Sequence, residues 1–588
     1  MRSNMATSTV NAQPEPLGSI SHYTGFLRRF ARGALPFWSA SHKWMNRARL
    51  LGLLLVTCAQ VAVQVGLNFW NARLYNALEE RAFAQFITQL YVFGGLLLAS
   101  MAVFACQILI KRKLQFAWRV WMSKEVLGRW MDRGRHYQLG FMHEEHSNPD
   151  GRIAEDIRVV TESAIDLLQS LIYCILLLGS FVTVLWTLSG IVHISIGGAR
   201  IAIPGHLVWI ALAYATVGTS LALWVGRPLV GASNLRQGVE ADFRFGLVHA
   251  RENAEAIGLI HGDTDERGRL LDLLHGVRIG WTRQTAGLTR ITLFTSAYSV
   301  LASPFPILVA APRYIMNIIT LGTLMQAAQA FQQVTASLSW PVDNLATIAQ
   351  WRASVERVLA LQDALASLDR MAASKGPGRI DLQETGTSLR FDHLRIDRPD
   401  GTVIMPPLTE AIETGEHVLI QGIPEVCRKL LQVIAGLWPW GEGTVLVPAD
   451  LKCFFATDRP YLPIGALAGV VCYPASLGVC EPDAIVAALQ RAGLGELVPR
   501  LHETDDWAQA LSLAEQQRLS FARMLLHRPD WIFLADATAS LDEDGQSEIA
   551  NLLHDEFPAA TMVAIDTHGV FGGFFQRTLH VAAPPALS

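Results

Sequence analysis

The chain has 588 residues, more than one compact domain usually holds. It is 51% hydrophobic and 17% charged, against about 25% charged in an average soluble chain, and its mean hydropathy is positive. That balance predicts a membrane protein, and a net charge of −4 gives no basis for a nucleic-acid partner. Residues 1–20 lack the apolar run of a cleavable secretory leader. Residues 1–21 therefore read as a cytoplasmic tail without fixed structure.

A membrane-crossing helix takes about 20 apolar residues. Runs of that kind occupy 50–70, 86–110, 167–199, 201–226, 291–312 and 314–342. They predict a multi-domain membrane protein that begins with an all-α, six-helix transmembrane domain over 22–350. The third run is long enough for a helix plus part of an external loop. None of the six contains Asp, Glu, Lys or Arg. Lys and Arg gather before the first run and in the long loops 111–166 and 227–290, while the other loops are short and poor in them. Positive charge stays on the cytoplasmic side, so both termini are expected there. The long loops read as helices continuing out of the membrane, suited to contact with a motor domain or simply solvated. The last run is polar for a membrane helix, with Asn317, Gln326, Gln329, Gln332 and Gln333. Such a pattern fits a helix lining a wet cavity, and equally one hydrogen-bonded to its neighbours.

Residues 351–385 join a helical stretch to SKGPG at 374–378 and read as a linker. Residues 386–588 show a strand, a glycine-containing turn, a helix and the apolar strand 531–534, which predicts an α/β domain of the phosphate-loop type. Cys58, Cys106, Cys174, Cys427, Cys453, Cys472 and Cys480 form no CxxC pair. They read as small buried hydrophobes in a reducing compartment, with no metal and no disulfide framework.

Nucleotide hydrolysis by such a domain needs a loop GxxxxGK[ST]. Its glycines let the backbone approach phosphate, its Lys reaches the β and γ phosphates, and its hydroxyl binds magnesium. HVLIQGIPEVCRKLLQVIAGLWPW (417–440) is the matching region. Counting forward from Gly422 sets Cys427 at the second glycine, Arg428 at the lysine and Lys429 at the hydroxyl. Counting back from LLQVIAG implies a one-residue deletion, with Cys427 at the lysine and Arg428 and Lys429 at the hydroxyls. In either register Pro424 removes an N–H donor and Glu425 brings an acid to the phosphate position. Arg428 and Lys429 remain as cations for phosphate, but magnesium loses its hydroxyl ligand.

The strand at 531–536 should end in adjacent acids, one for magnesium and one for the attacking water. Ala535 cannot hold a metal, and Asp536 is one methylene shorter than a catalytic Glu. Small misplacements of catalytic groups cost about 100-fold. In FFATDRPYLP, Asp458 stands where a glutamine contacting metal and water is expected. His568, in AIDTHGV, is the candidate γ-phosphate sensor.

LSLAEQQRLSFARMLLHRPDWIFLADATASLDE (511–543), AGLWPWGEG and DRPYLP resemble the YddA-like ABC transporters, relatives of the peroxisomal fatty-acid subfamily and of the mycobacterial cobalamin and hydrophilic-compound importer. NPDGRIAEDI (148–157), EADFRFGLVHARENAEAI (240–257) and LMQAAQAFQQVTASLSWPVDN (324–344) are similar to the SbmA/BacA group of peptide and bleomycin uptake proteins. The resemblance covers roughly residues 22–580. It implies a half-transporter of the ABC exporter-type fold in a bacterial inner membrane, in contact with membrane lipid. Its membrane and nucleotide-binding domains are fused, with ATP and Mg2+ as cofactors.

The resemblance further implies a homodimer, because one subunit's signature completes the other's phosphate site, and a large central cavity for solutes such as cobalamin, bleomycin or antimicrobial peptides. The SbmA/BacA relatives lack the nucleotide domain and run on a proton gradient. Against the family pattern, Ser512 of the signature, Glu515 with Gln516, Gln517 and Arg518, and Asp542 of the ASLD turn are kept. Ala514 replaces the signature glycine, and Cys427, Arg428, Lys429, Asp458, Ala535 and Asp536 also depart from it. The kept residues read as retained helix packing and capping. Four readings follow: a transporter with a degenerate cassette, the inactive half of a heterodimer, a slow ATPase, and a non-transport membrane scaffold.

Overall fold

The computed structural model describes residues 20–39, 43–142, 148–196, 199–373, 378–385, 387–448, 452–565 and 575–582. The chain divides into two compact units. The first takes Met1–Glu125 and Asp150–Leu359, and the second takes Val126–Pro149 and Ala360–Ser588. The chain thus enters the second unit early, returns, and enters it again.

Helices α1 (Ile20–Ser39), α2 (Lys43–Glu79) and α3 (Phe83–Met131) come first. The short α4 (Arg135–Gln138) follows, then α5 (Pro149–Gly151), which runs through a π-turn at Arg152–Asp156 into α6 (Ile157–Ser189). Strands β1 (Ile191–Ile196) and β2 (Ala199–Pro204) pair as an antiparallel hairpin. Then come α7 (His206–Glu252), α8 (Ala254–Leu259), α9 (Asp263–Ala302), α10 (Pro304–Ile315), α11 (Leu321–Asp343) and α12 (Leu345–Ala373). Residues 351–373 of the expected linker are helical in α12.

Among the described residues, five helical runs are long and apolar enough to cross a membrane: Lys43–Glu79, Phe83–Phe141, Pro149–Ser189, His206–Glu252 and Asp263–Ile315. In hydrocarbon a continuous helix satisfies its own backbone, so long unbroken runs are favoured there. Several boundaries differ from the expected ones. The third run stops at Ser189, where Gly190 leaves helical geometry and the hairpin begins, and the fourth starts only at His206. The fifth is broken at Ser303, because Pro304 has no N–H to continue α9 and instead opens α10. The sixth expected run, 314–342, is not among the five: its helix, α11, starts only at Leu321, with the Thr320 hydroxyl accepting from the Thr323 N–H as its cap.

Helix α11 is central to the first unit, packing against α2, α6, α7 and α10. Its glutamines meet two kinds of neighbour. Asn68 of α2 donates to the Gln326 carbonyl and to Gln329 Oε1, each at 3.1 Å, and Asn71 donates to the same Gln329 oxygen. Gln332 instead lines a cavity of about 460 Å³ between α7, α9 and α11.

In the second unit, β3 (Asp381–Glu384), β4 (Leu389–Asp397), β5 (Val403–Ile412) and β7 (Gly441–Val447) form one sheet in the order β3-β7-β4-β5. Strands β6 (His417–Gly422), β8 (Cys453–Thr457), β11 (Trp531–Ala535), β12 (Thr561–Ile565) and β13 (Arg577–Val581) form a parallel sheet in the order β13-β6-β12-β11-β8. The inner strands β11 and β12 are almost continuously buried, as parallel strands covered on both faces must be. A two-residue pair, β9 (Gly465–Ala466) with β10 (Thr504–Asp505), completes the strands. Helices α13 (Pro424–Ile434), α14 (Leu467–Cys472), α15 (Pro482–Arg491), α16 (Trp507–Ala510), α17 (Leu513–His527) and α18 (Glu543–Glu556) pack around them. One core cluster joins the two sheets through Phe391, Val418, Cys427, Trp438 and Phe533. Another gathers α14, α15 and α17 around the fully buried Trp507.

Burial of the cysteines was expected throughout, and the fold corrects this. Cys427 and Cys472 are buried, Cys174 and Cys480 partly so, and Cys58, Cys106 and Cys453 are exposed. Cys58 and Cys106 sit on membrane-length helices, where an apolar side chain needs no protein cover if its surroundings are lipid.

Candidate functional site

The carboxyl ends of parallel strands are where this class of sheet binds ligands. Here β6 and β11, with β12 between them, bring Gly422 and Ala535 to the same edge. Gly422 pairs with Val581 of β13. A Cβ at Gly422 would lie 2.6 Å from the Val581 carbonyl oxygen and 3.2 Å from Cys427 Sγ. The glycine is therefore required for close backbone approach within the sheet.

A single residue, Ile423, separates β6 from α13. Its carbonyl accepts from the Val426 N–H at 2.9 Å and the Cys427 N–H at 3.1 Å. Pro424, at the first helical position, has no N–H. A phosphate-binding helix start needs outward-facing N–H groups. Here Pro424 removes one such N–H, the Val426 N–H turns back to the Ile423 carbonyl, and the Cys427 N–H makes the first ordinary bond of the helix. Glu425 adds an acid to the first turn.

The three side chains that follow go separate ways. Cys427 is 1% exposed, inside the core between the sheets. Burial pushes its thiol up to about 11, and the charge of Asp536 adds to the effect. It supplies no cation in either register. Arg428 reaches across the sheet edge, with Nη2 4.0 Å from Asp536 Oδ2. Lys429 turns the other way, so its expected role as a phosphate or magnesium position is corrected. Its Nζ lies 3.5 Å from the centre of the Trp438 ring and 4.8 Å from that of Phe141, and it donates to Gln432 Oε1 at 3.0 Å. Burial lowers the Lys429 pKa, with nearby Glu425 working against the shift. Phe141 packs edge-on against Trp438 at 4.9 Å, and Trp438 against Trp440 at 4.8 Å. Phe141 belongs to Val126–Pro149, the stretch between α3 and α6 that the second unit takes.

On β11, Ala535 pairs with Thr457 on one side and Ile565 on the other. Asp536 follows in the left-handed region, at φ 50, and its N–H donates to the Ile565 carbonyl at 3.2 Å. Asp tolerates this conformation better than most residues. Asp458 is exposed, and it is its carbonyl, not its carboxylate, that is engaged: Gln517 Nε2 donates to it at 2.9 Å. Gln517 Oε1 in turn accepts from the Ser540 N–H at 3.0 Å. The fully buried Gln517 thus ties the turn after β8 to the ASLD turn after β11.

Ser512 and Glu515 satisfy one another. The Ser512 N–H and hydroxyl both donate to Glu515 Oε2, at 2.8 and 2.7 Å, and the Ser512 hydroxyl accepts from the Glu515 N–H. This is a complete capping box for α17. Asp542 caps α18 by accepting from the Gly545 N–H at 3.0 Å. Ala514 packs its methyl against the core that includes Phe521 and Leu534. His568 lies outside the described residues.

Magnesium needs several oxygen ligands in octahedral array. Among the described residues, no group of three or more His, Cys, Asp or Glu side chains could hold a metal. Among the described residues at the sheet edge, Asp536 has the Arg428 guanidinium facing it and Ala535 offers no oxygen ligand. The described residues by themselves do not fit a magnesium nucleotide held for hydrolysis. Two working residues were not legible as such: Gln517, whose bond partners are 59 and 23 positions away, and Phe141, which meets Lys429 only through the fold. The WPW run at 438–440 was the available signal for an aromatic cluster.

Membrane-length helices followed by an α/β domain with a parallel sheet are the architecture of the ABC exporter fold. The "Structure of a bacterial Atm1-family ABC exporter with ATP bound" shares the fold, with a TM-score of 0.66 over 91% of this chain and 93% of that one, at 13% identity. Residues 37–315 match the family described as ABC transporter transmembrane region 2. "Inner membrane ABC transporter ATP-binding protein YddA" of Escherichia coli (strain K12) is 27% identical over 91% of this chain and 93% of its own. "ABC transporter D family member 2, chloroplastic" of Arabidopsis thaliana is 26% identical over 94% and 86%. "Lysosomal cobalamin transporter ABCD4" of Mus musculus is 25% identical over 89% of each chain. The chain is an ABC transporter polypeptide with transmembrane and ATP-binding parts fused, similar over most of its length to YddA and to subfamily D transporters. ATP and Mg2+ use is what such relatives imply for the family.

Proposed function

We propose that this chain is half of a homodimeric transporter that takes up hydrophilic solutes and does not turn over ATP at its own cassette. Six membrane crossings are assigned to it, the sixth being α11, in a bacterial inner membrane with both termini cytoplasmic. Cobalamin, bleomycin and antimicrobial peptides are the candidate solutes, and the cobalamin named for one relative supports the first of these. An ion gradient, or binding alone, drives the cycle.

The observation that carries this reading is the pair Arg428 and Asp536 across a strand-to-helix turn of one residue. A cation of the phosphate side faces the acid that would polarise water, Ala535 offers no metal ligand, and Lys429 is held in an aromatic cluster. The α17 capping box and the Asp542 cap keep the helix starts that a dimer partner would meet, without the signature glycine.

The deciding experiment uses the purified full chain in proteoliposomes. Uptake of cobalamin and of bleomycin is measured with ATP, with a proton gradient, and with both, beside a magnesium-ATP hydrolysis assay. Uptake that follows the gradient, with hydrolysis no greater than in an Asp536→Asn variant, is expected. Uptake strictly dependent on ATP overturns the reading. A second reading, the inactive half of a heterodimer, draws on the intact caps at Ser512 and Asp542. Co-purification with an intact half, and inactivity without it, selects that reading instead.

A further inference from the structure

The cavity between α7, α9 and α11 has a one-sided chemistry. Its walls present the hydroxyls of Thr219, Thr295, Ser299 and Ser339 and the amide of Gln332. Among its lining residues the one formal charge is the carboxylate of Asp343, and no Lys, Arg or His contributes. Apart from Asp343, the one other titratable lining group is Tyr298. Asp343 is exposed at the end of α11, and no charged residue is among its neighbours in the cavity lining. Tyr298 closes one wall, its ring stacked on Tyr214 at 4.6 Å and lying over Gly218, where a Cβ would come within 2.2 Å of it. The Tyr298 hydroxyl is enclosed without a hydrogen-bond partner.

A polar wall in an apolar surrounding is costly to maintain and marks a functional position. Hydroxyls and a primary amide donate and accept, so they match a polyhydroxylated or amide-rich solute. The single charge among the lining residues selects further. An anionic solute would meet a carboxylate with no cation in the lining to offset it, whereas an ammonium or guanidinium group pairs with it. An anionic lipid or acyl ester is therefore disfavoured at this site.

We propose that this cavity is the solute site and that it takes a hydrophilic, hydrogen-bonding solute bearing an ammonium or guanidinium group, with Asp343 as its counter-ion. The proposal rests on the transporter reading for its physiological meaning, and its test does not.

Equilibrium binding to the full chain in nanodiscs is measured by calorimetry for three sugar probes of matched scaffold: the glucosamine disaccharide, its N,N′-diacetylated form, and a glucuronic-acid disaccharide. The amine form is expected to bind at least tenfold more tightly than the acetylated form, and the uronate least. Asp343→Asn abolishes the preference for the amine, bringing the two forms to similar affinity, and Asp343→Glu restores it. Equal affinities for all three probes, absence of binding by the amine form, or a preference that survives Asp343→Asn overturns the proposal. Thermal unfolding of each variant separates loss of the site from loss of the fold. Binding with no uptake in proteoliposomes supports the site while removing the transport reading, so the two fail separately.

Discussion

The Lys429 ammonium sits 3.5 Å from the centre of the Trp438 ring, on the far side of α13 from the sheet edge that Arg428 faces. Two adjacent basic residues therefore serve different structures. Lys429 joins the helix after β6 to Phe141 and so to the segment between α3 and α6.

A desolvated cation–π contact contributes about 2 kcal/mol. Lys429→Met keeps the stem and removes the charge. We expect it to destabilise the second unit by roughly that amount and to speed protease cleavage within 132–142. Lys429→Arg should retain most of the stability, since guanidinium also stacks on aromatic rings. Limited proteolysis with thermal unfolding reads both.

On the proposed reading, restoring the acids is not expected to raise hydrolysis. The double variant Ala535→Asp with Asp536→Glu returns two carboxylates to the end of β11, but the single-residue turn at Ile423 still provides no phosphate cradle. Hydrolysis in this variant is expected to remain at the level of the unaltered protein. A magnesium-dependent rise above it would show that the turn is not the limiting defect.

Gly422→Ala brings a methyl to 2.6 Å from the Val581 carbonyl oxygen, which backbone cannot easily yield. The expected cost is about 1–3 kcal/mol of stability, with no change in nucleotide affinity if the residue no longer serves phosphate. Chemical denaturation and a nucleotide-binding assay test the two halves of this expectation.

Gln517→Ala removes a buried side chain that accepts from the Ser540 N–H and donates to the Asp458 carbonyl. Unpaired buried groups of this kind cost about 1–3 kcal/mol. Amide exchange is expected to quicken at Ser540 and Leu541, while the exchange of α18 stays slow.

Cys427 gives a pH signature. Its pKa, about 11 in the folded chain, is raised above the unfolded thiol value of about 8.5. Below the unfolded value both states are protonated and the stability is fully present. As pH rises through that value and on to the folded one, the unfolded chain ionises first and stability is lost. Denaturation of Cys427→Ser should lose less stability over that window than the unaltered chain. An alkylating reagent at pH 8 should leave Cys427 unmodified until the domain unfolds.

Much of the second unit was legible because parallel strands covered on both faces carry continuous apolar runs, and Trp531–Ala535 is one. Ser512 and Glu515, three positions apart, form the cap their spacing permits. Helix limits in the first unit were less legible, since hydropathy does not distinguish the apolar hairpin Ile191–Pro204 from helix. At α11 the glutamines left two readings open, and only the neighbours of each face separated them: Asn68 and Asn71 beside Gln329, a cavity beside Gln332.

The sequence by itself carried the resemblance to fused ABC transporters and the order of the two parts, because apolar runs and the 511–543 motif are local features of the chain. Only the tertiary structure decided where the remaining charges go. Arg428 and Lys429 are neighbours in the chain, yet successive positions on a helix point about 100° apart. That rotation sends one to Asp536 and the other to Trp438 and Phe141.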